Sequence, residues 1–279
     1  MMLSIAIAVL SIGPTLSGSI VMTGRDLSTL RVFSLTASST RELPLPANLQ
    51  IEGYEADGPN IIGWSYLNET VFQLKVESKK VTVRNKVRRM VTFASSRDNK
   101  ICFIANHQMY VADRQLKHER IVAKVDDEIQ SMSPRYERAY FRCYWLDDQR
   151  IVVDYVDPRS DFSQAHQKVF LLDLKSHVRQ LVGQESEVLA VSRQGIVLLR
   201  DFHDNKIVQV QFRQGKEIDR TVLPFSWAQA TFDHSGNFLA TVDPNPKGKV
   251  GIFAVPITRP IGTFRVPGLT DVDTLTWLQ

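Results

Sequence analysis

Apolar and polar residues alternate along most of this chain in short runs, and the runs come in sets of four. The set is complete between Phe225 and Arg265, in FSWAQATFDHSGNFLATVDPNPKGKVGIFAVPITRPIGTFR. An apolar run over Trp227–Phe232 meets a turn at Asp233-His234-Ser235-Gly236 and is followed by a second run over Phe238–Val242. Polar, Gly- and Pro-rich connections of this kind bound strands rather than helices. Beyond a loop come two more strands, Val250–Val255 and Ile261–Val266, joined across Pro256–Pro260. Four short strands in a meander leave both faces of a small sheet uncovered, so the unit must stack on copies of itself.

The copies are present. Second strands of such sets begin at or just before Ile20, Ile61, Ile101, Ile151, Ile196 and Phe238, at intervals of about 40 to 50 residues, the period of a propeller blade. Third strands keep step, reading TLRVFSL, TVFQLKV, QMYVADR, KVFLLDL, KIVQVQF and KVGIFAV. Each alternates well enough for a half-buried strand. Polar turns follow them, as at Glu77-Ser78-Lys79-Lys80 and Gln214-Gly215-Lys216-Glu217. Ahead of the second strands lie turns rich in Asp, Asn, Gly or Ser, such as Ala56-Asp57-Gly58-Pro59-Asn60 and Ser96-Arg97-Asp98-Asn99, residue types that tolerate tight hairpins. The set near Ile20 lacks a first strand, and DTLTWLQ at Asp273–Gln279 supplies one. The expectation is an all-β propeller of six four-stranded blades, with both termini in one blade so that no sheet edge is left open at the seam.

FDHSGNFLATVD resembles the F-S-P-D-G-x-x-(I/L)-A element of the WD-like repeats in TolB-type periplasmic proteins and in the propellers of prolyl-oligopeptidase-like enzymes. Phe232, Gly236, Leu239 and Ala240 fit that element, while His234-Ser235 stand where Pro-Asp would. The resemblance implies a fold much more than an activity, because propellers host unrelated functions.

Composition adds little beyond a globular body. Of 279 residues 43% are hydrophobic and 23% charged, and the net charge of +4 is scattered, which argues against a nucleic-acid surface. The apolar run Leu3–Ile12 and the small residues after it make 1–18 a leader or signal-peptide candidate, without a basic n-region. Exported, the protein would be periplasmic or secreted; otherwise it would be cytoplasmic. The competing reading takes Ser4–Leu10 as a buried first strand. The run is too short for stable membrane insertion, and residues 19–279 read as one domain. Cys102 and Cys143 each fall within an apolar strand and read as two buried free thiols rather than a disulfide.

Candidate chemistry is sparse. There is no GxSxG, HExxH, P-loop or DxDxDG motif, and the six histidines stand singly. Asp126-Asp127, Asp147-Asp148 and Asp271/Asp273 read as solvated turn acids rather than catalytic pairs. No catalytic residue, metal site or cofactor is therefore expected. The informative irregularity is in the fourth blade, where a long connection, Asp157–Gln167, and a long lead-in, Asp126–Glu137, emerge on one face beside the central channel. That face nominates Tyr136, Arg138, Arg142, Tyr144, Arg159, Asp161, Phe162 and His166 as binding residues. The basic run Arg84-Asn85-Lys86-Val87-Arg88-Arg89, read as a connection between blades, would add attraction for an acidic partner. The expected function is a monomeric, non-enzymatic scaffold for a protein or peptide partner. The alternative is a hydrolase or lyase at the channel mouth, using Arg142, Tyr144, Asp161 and His166.

Overall fold

The computed structural model describes residues 16–23, 28–47, 49–65, 68–77, 79–88, 91–106, 108–124, 140–156, 167–242, 249–265 and 275–278. Every regular element among the described residues is a strand, and the 24 strands form six four-stranded antiparallel sheets. The first blade holds β1 (Ser19–Thr23), β2 (Thr29–Ser34) and β3 (Ser39–Pro44). The second holds β4 (Gly53–Asp57), β5 (Asn60–Ser65), β6 (Thr70–Val76) and β7 (Val81–Arg88). In the third are β8 (Phe93–Arg97), β9 (Lys100–Ala105), β10 (Gln108–Asp113) and β11 (Arg120–Lys124). The fourth is built from β12 (Tyr140–Trp145), β13 (Arg150–Val156), β14 (Gln167–Asp173) and β15 (Arg179–Gln184). The fifth runs β16 (Ser186–Val191), β17 (Ile196–Asp201), β18 (Ile207–Arg213) and β19 (Lys216–Leu223). The sixth runs β20 (Gln229–Phe232), β21 (Phe238–Val242), β22 (Lys249–Ala254) and β23 (Pro260–Arg265). The last strand, β24 (Leu275–Leu278), returns to the first blade as its inner strand.

The molecule is a six-bladed β-propeller closed as the sequence predicts. Ile20 of β1 lies opposite Trp277 on one side and Phe33 on the other. The inner position that the competing reading gave to Ser4–Leu10 is thus occupied by β24; residues 4–10 themselves lie outside the described residues. The seam fits tightly at Gly18, which has φ +99° and whose missing Cβ would meet the Leu278 carbonyl oxygen at 2.4 Å. Only glycine supplies both that backbone and that space.

The blades have no cores of their own, and the apolar contacts lie between them. Ile62, Phe103, Cys143 and Ile151 join the second, third and fourth blades, whereas Ile20, Phe33, Val250 and Trp277 join the sixth to the first. This explains the sequence pattern. Second strands are sandwiched between neighbouring blades and read as near-continuous apolar runs, as in β9, where only Lys100 is exposed. Outermost strands touch neighbours least, and β19 is exposed at every residue except Leu223. Cys102 and Cys143 are buried free thiols, and the Cys102 thiol donates to the Cys143 carbonyl oxygen at 3.1 Å across the boundary of the third and fourth blades.

One sequence reading is corrected. Arg84–Arg88 do not form a connection between blades; they are most of β7, the outer strand of the second blade, paired to β6 from Thr70 to Val76. The alternation of Val81, Val83 and Val87 with polar residues is a strand signal that the local charge obscured. Its cations sit on the outer rim, where Arg88 pairs with Glu69 at 3.2 Å.

Candidate functional site

The six inner strands surround a channel. One mouth is set by the N-terminal ends of these strands, and this is also the face on which connections enter each blade and leave each second strand. The cavity there has a volume of about 390 Å³ and takes lining residues from every blade, among them Glu52, Glu55, Phe93, Arg142, Tyr144, Gln167, Glu187, Gln229 and Leu275. A narrower section of about 120 Å³ continues towards the opposite mouth, and Glu55 and Tyr144 line both. At that opposite mouth Arg193 of the fifth blade reaches Asp98 of the third at 2.8 Å, tying together two turns that are not neighbours.

A charged hub is built where the fourth and fifth blades meet. A register shift between Tyr140 and Arg142 sets Arg142 opposite Asp154, and a second shift between Val188 and Ala190 interrupts the β16–β17 ladder. Bulges re-aim side chains and free backbone groups in this way. The Arg142 Nε donates to Asp154 Oδ2 at 2.8 Å and an η nitrogen donates to Glu187 Oε2 at 2.7 Å, while the freed Val188 N–H donates to Asp154 Oδ1 at 2.9 Å. Arg200 of β17 pairs with the other Glu187 oxygen. Asp154 is fully buried. Burial pushes its carboxyl up to about 6 against the pull of Arg142 and the Val188 N–H. Burial works against the Arg142 cation too, but Asp154 and Glu187 more than offset it, so the guanidinium stays protonated.

Glu55 is different. It is half-buried on inner strand β4, and its side chain, among the described residues, makes no hydrogen bond or ion pair. Burial drives its carboxyl from 4.5 up to about 8, with Arg142 only partly opposing. Beside it Tyr144 packs edge-on against Phe93 at 5.0 Å, and Phe93 lies 5.1 Å from Trp64. The Tyr144 phenol is held well above its usual range by burial. A carboxyl that binds its proton more tightly folded than unfolded makes stability fall as pH rises, here between about 4.5 and 8. Glu55→Gln should therefore match the wild type at pH 4 and exceed it at pH 9 by about 1–3 kcal/mol, discounted for water in the channel. Urea melts of both proteins at the two pH values check this; equal stability at pH 9 would show that Glu55 is well solvated.

Comparisons place the fold among known propellers and go no further. No family model matches the chain, and no curated protein matches it. A chain in the crystal structure of a nidogen/laminin complex is 11% identical, with a TM-score of 0.62 over 93% of this chain and 97% of that one. The Cps50 (Swd1) β-propeller domain of the Myceliophthora thermophila protein is 9% identical, with a TM-score of 0.51 over 90% of this chain and 86% of that one. A chain in the complex of KlAtg21 with the coiled coil of AgAtg16 is 11% identical, with a TM-score of 0.51 over 90% and 85%.

Of the eight residues nominated from the sequence, Arg142 and Tyr144 line the channel mouth together. Tyr136, Arg138, Arg159, Asp161, Phe162 and His166 lie outside the described residues, as do Asp126-Asp127 and Asp271/Asp273. The described ends of their segments, Tyr140, Val156 and Gln167, sit at the same mouth, since Tyr140 pairs with Tyr155 and Val156 with Gln167. Asp147 belongs to a turn, accepting the Gln149 N–H at 2.9 Å and pairing with Arg150. Sequence reasoning missed Glu55, Asp154, Glu187 and Arg200. A signal existed for Asp154, an acid inside the apolar strand Ile151–Tyr155, where unpaired carboxylates are rarely buried.

Proposed function

We propose that this propeller is a binding scaffold that presents the Arg142–Tyr144 mouth to a protein or peptide partner. The observation that carries the reading is the cavity of about 390 Å³ at that mouth, walled by all six blades and held in shape by the Arg142 hub. Concave sites of this size with a few convergent polar groups are where ligands bind. The described ends of the two long fourth-blade segments, Lys124, Tyr140, Val156 and Gln167, lie on the same face of the ring as this mouth, and Gln167 lines the cavity; loops on a rigid scaffold commonly carry recognition. Two of the similar structures, the nidogen/laminin complex and the KlAtg21–AgAtg16 coiled-coil complex, are assemblies of this fold with another protein. We read the repeat itself as TolB-like. Phe232 closes β20, Gly236 takes φ +75° in the turn, and Leu239-Ala240 lie in β21.

The test uses the whole chain as bait, with captured proteins identified by mass spectrometry and rebinding checked with purified partner. A variant carrying Tyr136→Ala, Arg159→Ala and Phe162→Ala should lose the partner by tenfold or more. Lys175→Glu, in a turn on the opposite face, should keep it. Loss with Lys175→Glu and retention by the triple variant would move the interface to the other side of the ring.

A further inference from the structure

Among the described residues, one carboxyl of the channel has no cation to answer it. Arg142 is engaged by Asp154 and Glu187, and Arg200 by Glu187, so two guanidiniums answer two carboxyls. Glu55 stands between the two sections of the channel with no cation of its own among the described residues. An independent sign of a missing group lies deeper on the same route. Thr276 of β24 lines the narrower section, is fully buried, and its hydroxyl oxygen has no hydrogen-bond partner among the described residues. A lone carboxyl and a lone hydroxyl oxygen share one chemistry, since both accept hydrogen bonds. The hydroxyl further accepts without needing to be deprotonated.

The opposite mouth is tied by the Arg193–Asp98 pair, so the wide entrance is the one at Arg142 and Tyr144. A side chain arriving there enters a cavity whose wall Glu55 shares with the Trp64, Phe93 and Tyr144 rings. Aromatic walls with an acid among them suit a long aliphatic stem that carries a cation.

We infer that the channel receives a basic side chain, a lysine ammonium or arginine guanidinium of the partner, with Glu55 as the carboxylate that accepts it. This deepens the scaffold reading and rests on it for the biological partner, but the chemistry of the channel can be tested without one. A cation beside Glu55 offsets the burial cost that holds its proton, so binding and deprotonation of Glu55 are linked and each favours the other.

The probe is Nα-acetyl-lysine methylamide, compared with the norleucine and glutamate analogues, at concentrations up to tens of millimolar. A ligand of this size is expected to bind with a Kd of about 1 mM or weaker. Glu55 is followed by the ¹³C chemical shift of its carboxyl through a pH titration. Its midpoint, expected near 8 in the free protein, should fall by at least one unit at saturating lysine probe, a coupling of about tenfold. The same linkage makes the lysine probe bind at least about eightfold better at pH 9 than at pH 6. Glu55→Gln should lose that pH dependence and weaken binding at pH 9 by tenfold or more while keeping the wild-type circular dichroism spectrum. The norleucine analogue should leave the midpoint in place. An unmoved midpoint with the lysine probe, or tighter binding of the glutamate analogue, would overturn the inference and leave the assignment of the partner face to be judged by the capture experiment alone.

Discussion

Ending the chain after residue 274 should abolish a cooperative thermal melt or move it far below that of the full chain. Trp277→Ala alone should lower the melting temperature by roughly 6–20 °C. Leu275, Thr276, Trp277 and Leu278 are all buried, and Trp277 packs with Ile20, Phe33 and Val250, stacks on Phe238 at 6.3 Å and donates its Nε1–H to the Ser17 carbonyl at 3.4 Å. Truncating such a side chain costs about 3–5 kcal/mol in lost transfer energy and cavity, and each kcal/mol is worth roughly 2–4 °C in a domain of this size class. Removing the whole strand also leaves β1 without its inner hydrogen-bonding partner and strips one face from each of two blade boundaries, since Leu278 belongs to the cluster shared with the second blade. Ile261→Ala, at an exposed position of β23, is the control and should change stability by less than about 0.5 kcal/mol. Circular dichroism melts of the three proteins decide the matter. A full-chain melting temperature for the version ending at 274 would mean the ring does not depend on this strand.

The second large effect is expected at the hub. Arg142→Met should cost about 3–5 kcal/mol at pH 8, because it keeps most of the packing volume but leaves the fully buried Asp154 with only the Val188 N–H. The cost should shrink as pH falls. Asp154 already titrates near 6 with its arginine present; without it the carboxyl moves higher still and enters the folded state protonated at pH 5, uncharged. Adding Asp154→Asn to Arg142→Met should recover part of the loss at pH 8, since removing both charges costs less than removing one. Chemical denaturation at pH 5 and pH 8 reads out the wild type and both variants. A cost that does not vary with pH would place the effect in packing rather than in charge.

The architecture was legible because each blade repeats the same local physics. Alternation in β6 or β14, an Asp-rich turn such as Asp233–Gly236, and a terminal LTWL with nowhere else to go are readable within a few residues of themselves. Asp233 shows why such turns recur, since its two carboxylate oxygens accept from the Ser235 and Phe238 N–H groups and fix the hairpin locally. The outer strand β7 was misread because a strand with little to bury carries a surface composition, and VTVRNKVR then resembles a charged connection. The channel chemistry was legible only in part. Arg142 and Tyr144 were found through the unusual length of the segments around them. The Arg142 partner Glu187 and the unpaired Glu55 of the same channel lie in other blades, and Glu187 is 45 residues from Arg142 in the chain. Such pairs form only when the ring brings inner strands together, and no spacing rule within one blade announces them.

Ring closure by β24 has a consequence for how the protein is made. Ser17 and Trp277 touch although 260 residues separate them in the chain, so β1 leaves the ribosome long before the strand it needs. Synthesis proceeds at about 5–20 residues per second, which leaves the first blade waiting on the order of ten seconds or more with the inner edge of β1 open. During that interval the nascent chain exposes a strand edge of the kind that pairs with other chains, and a chaperone or a slow, ordered docking of the later blades is what would protect it. The same arrangement makes synthesis of β24 the event that allows the ring to close. A chain released before β24 is made has five whole blades and a first blade without its inner strand.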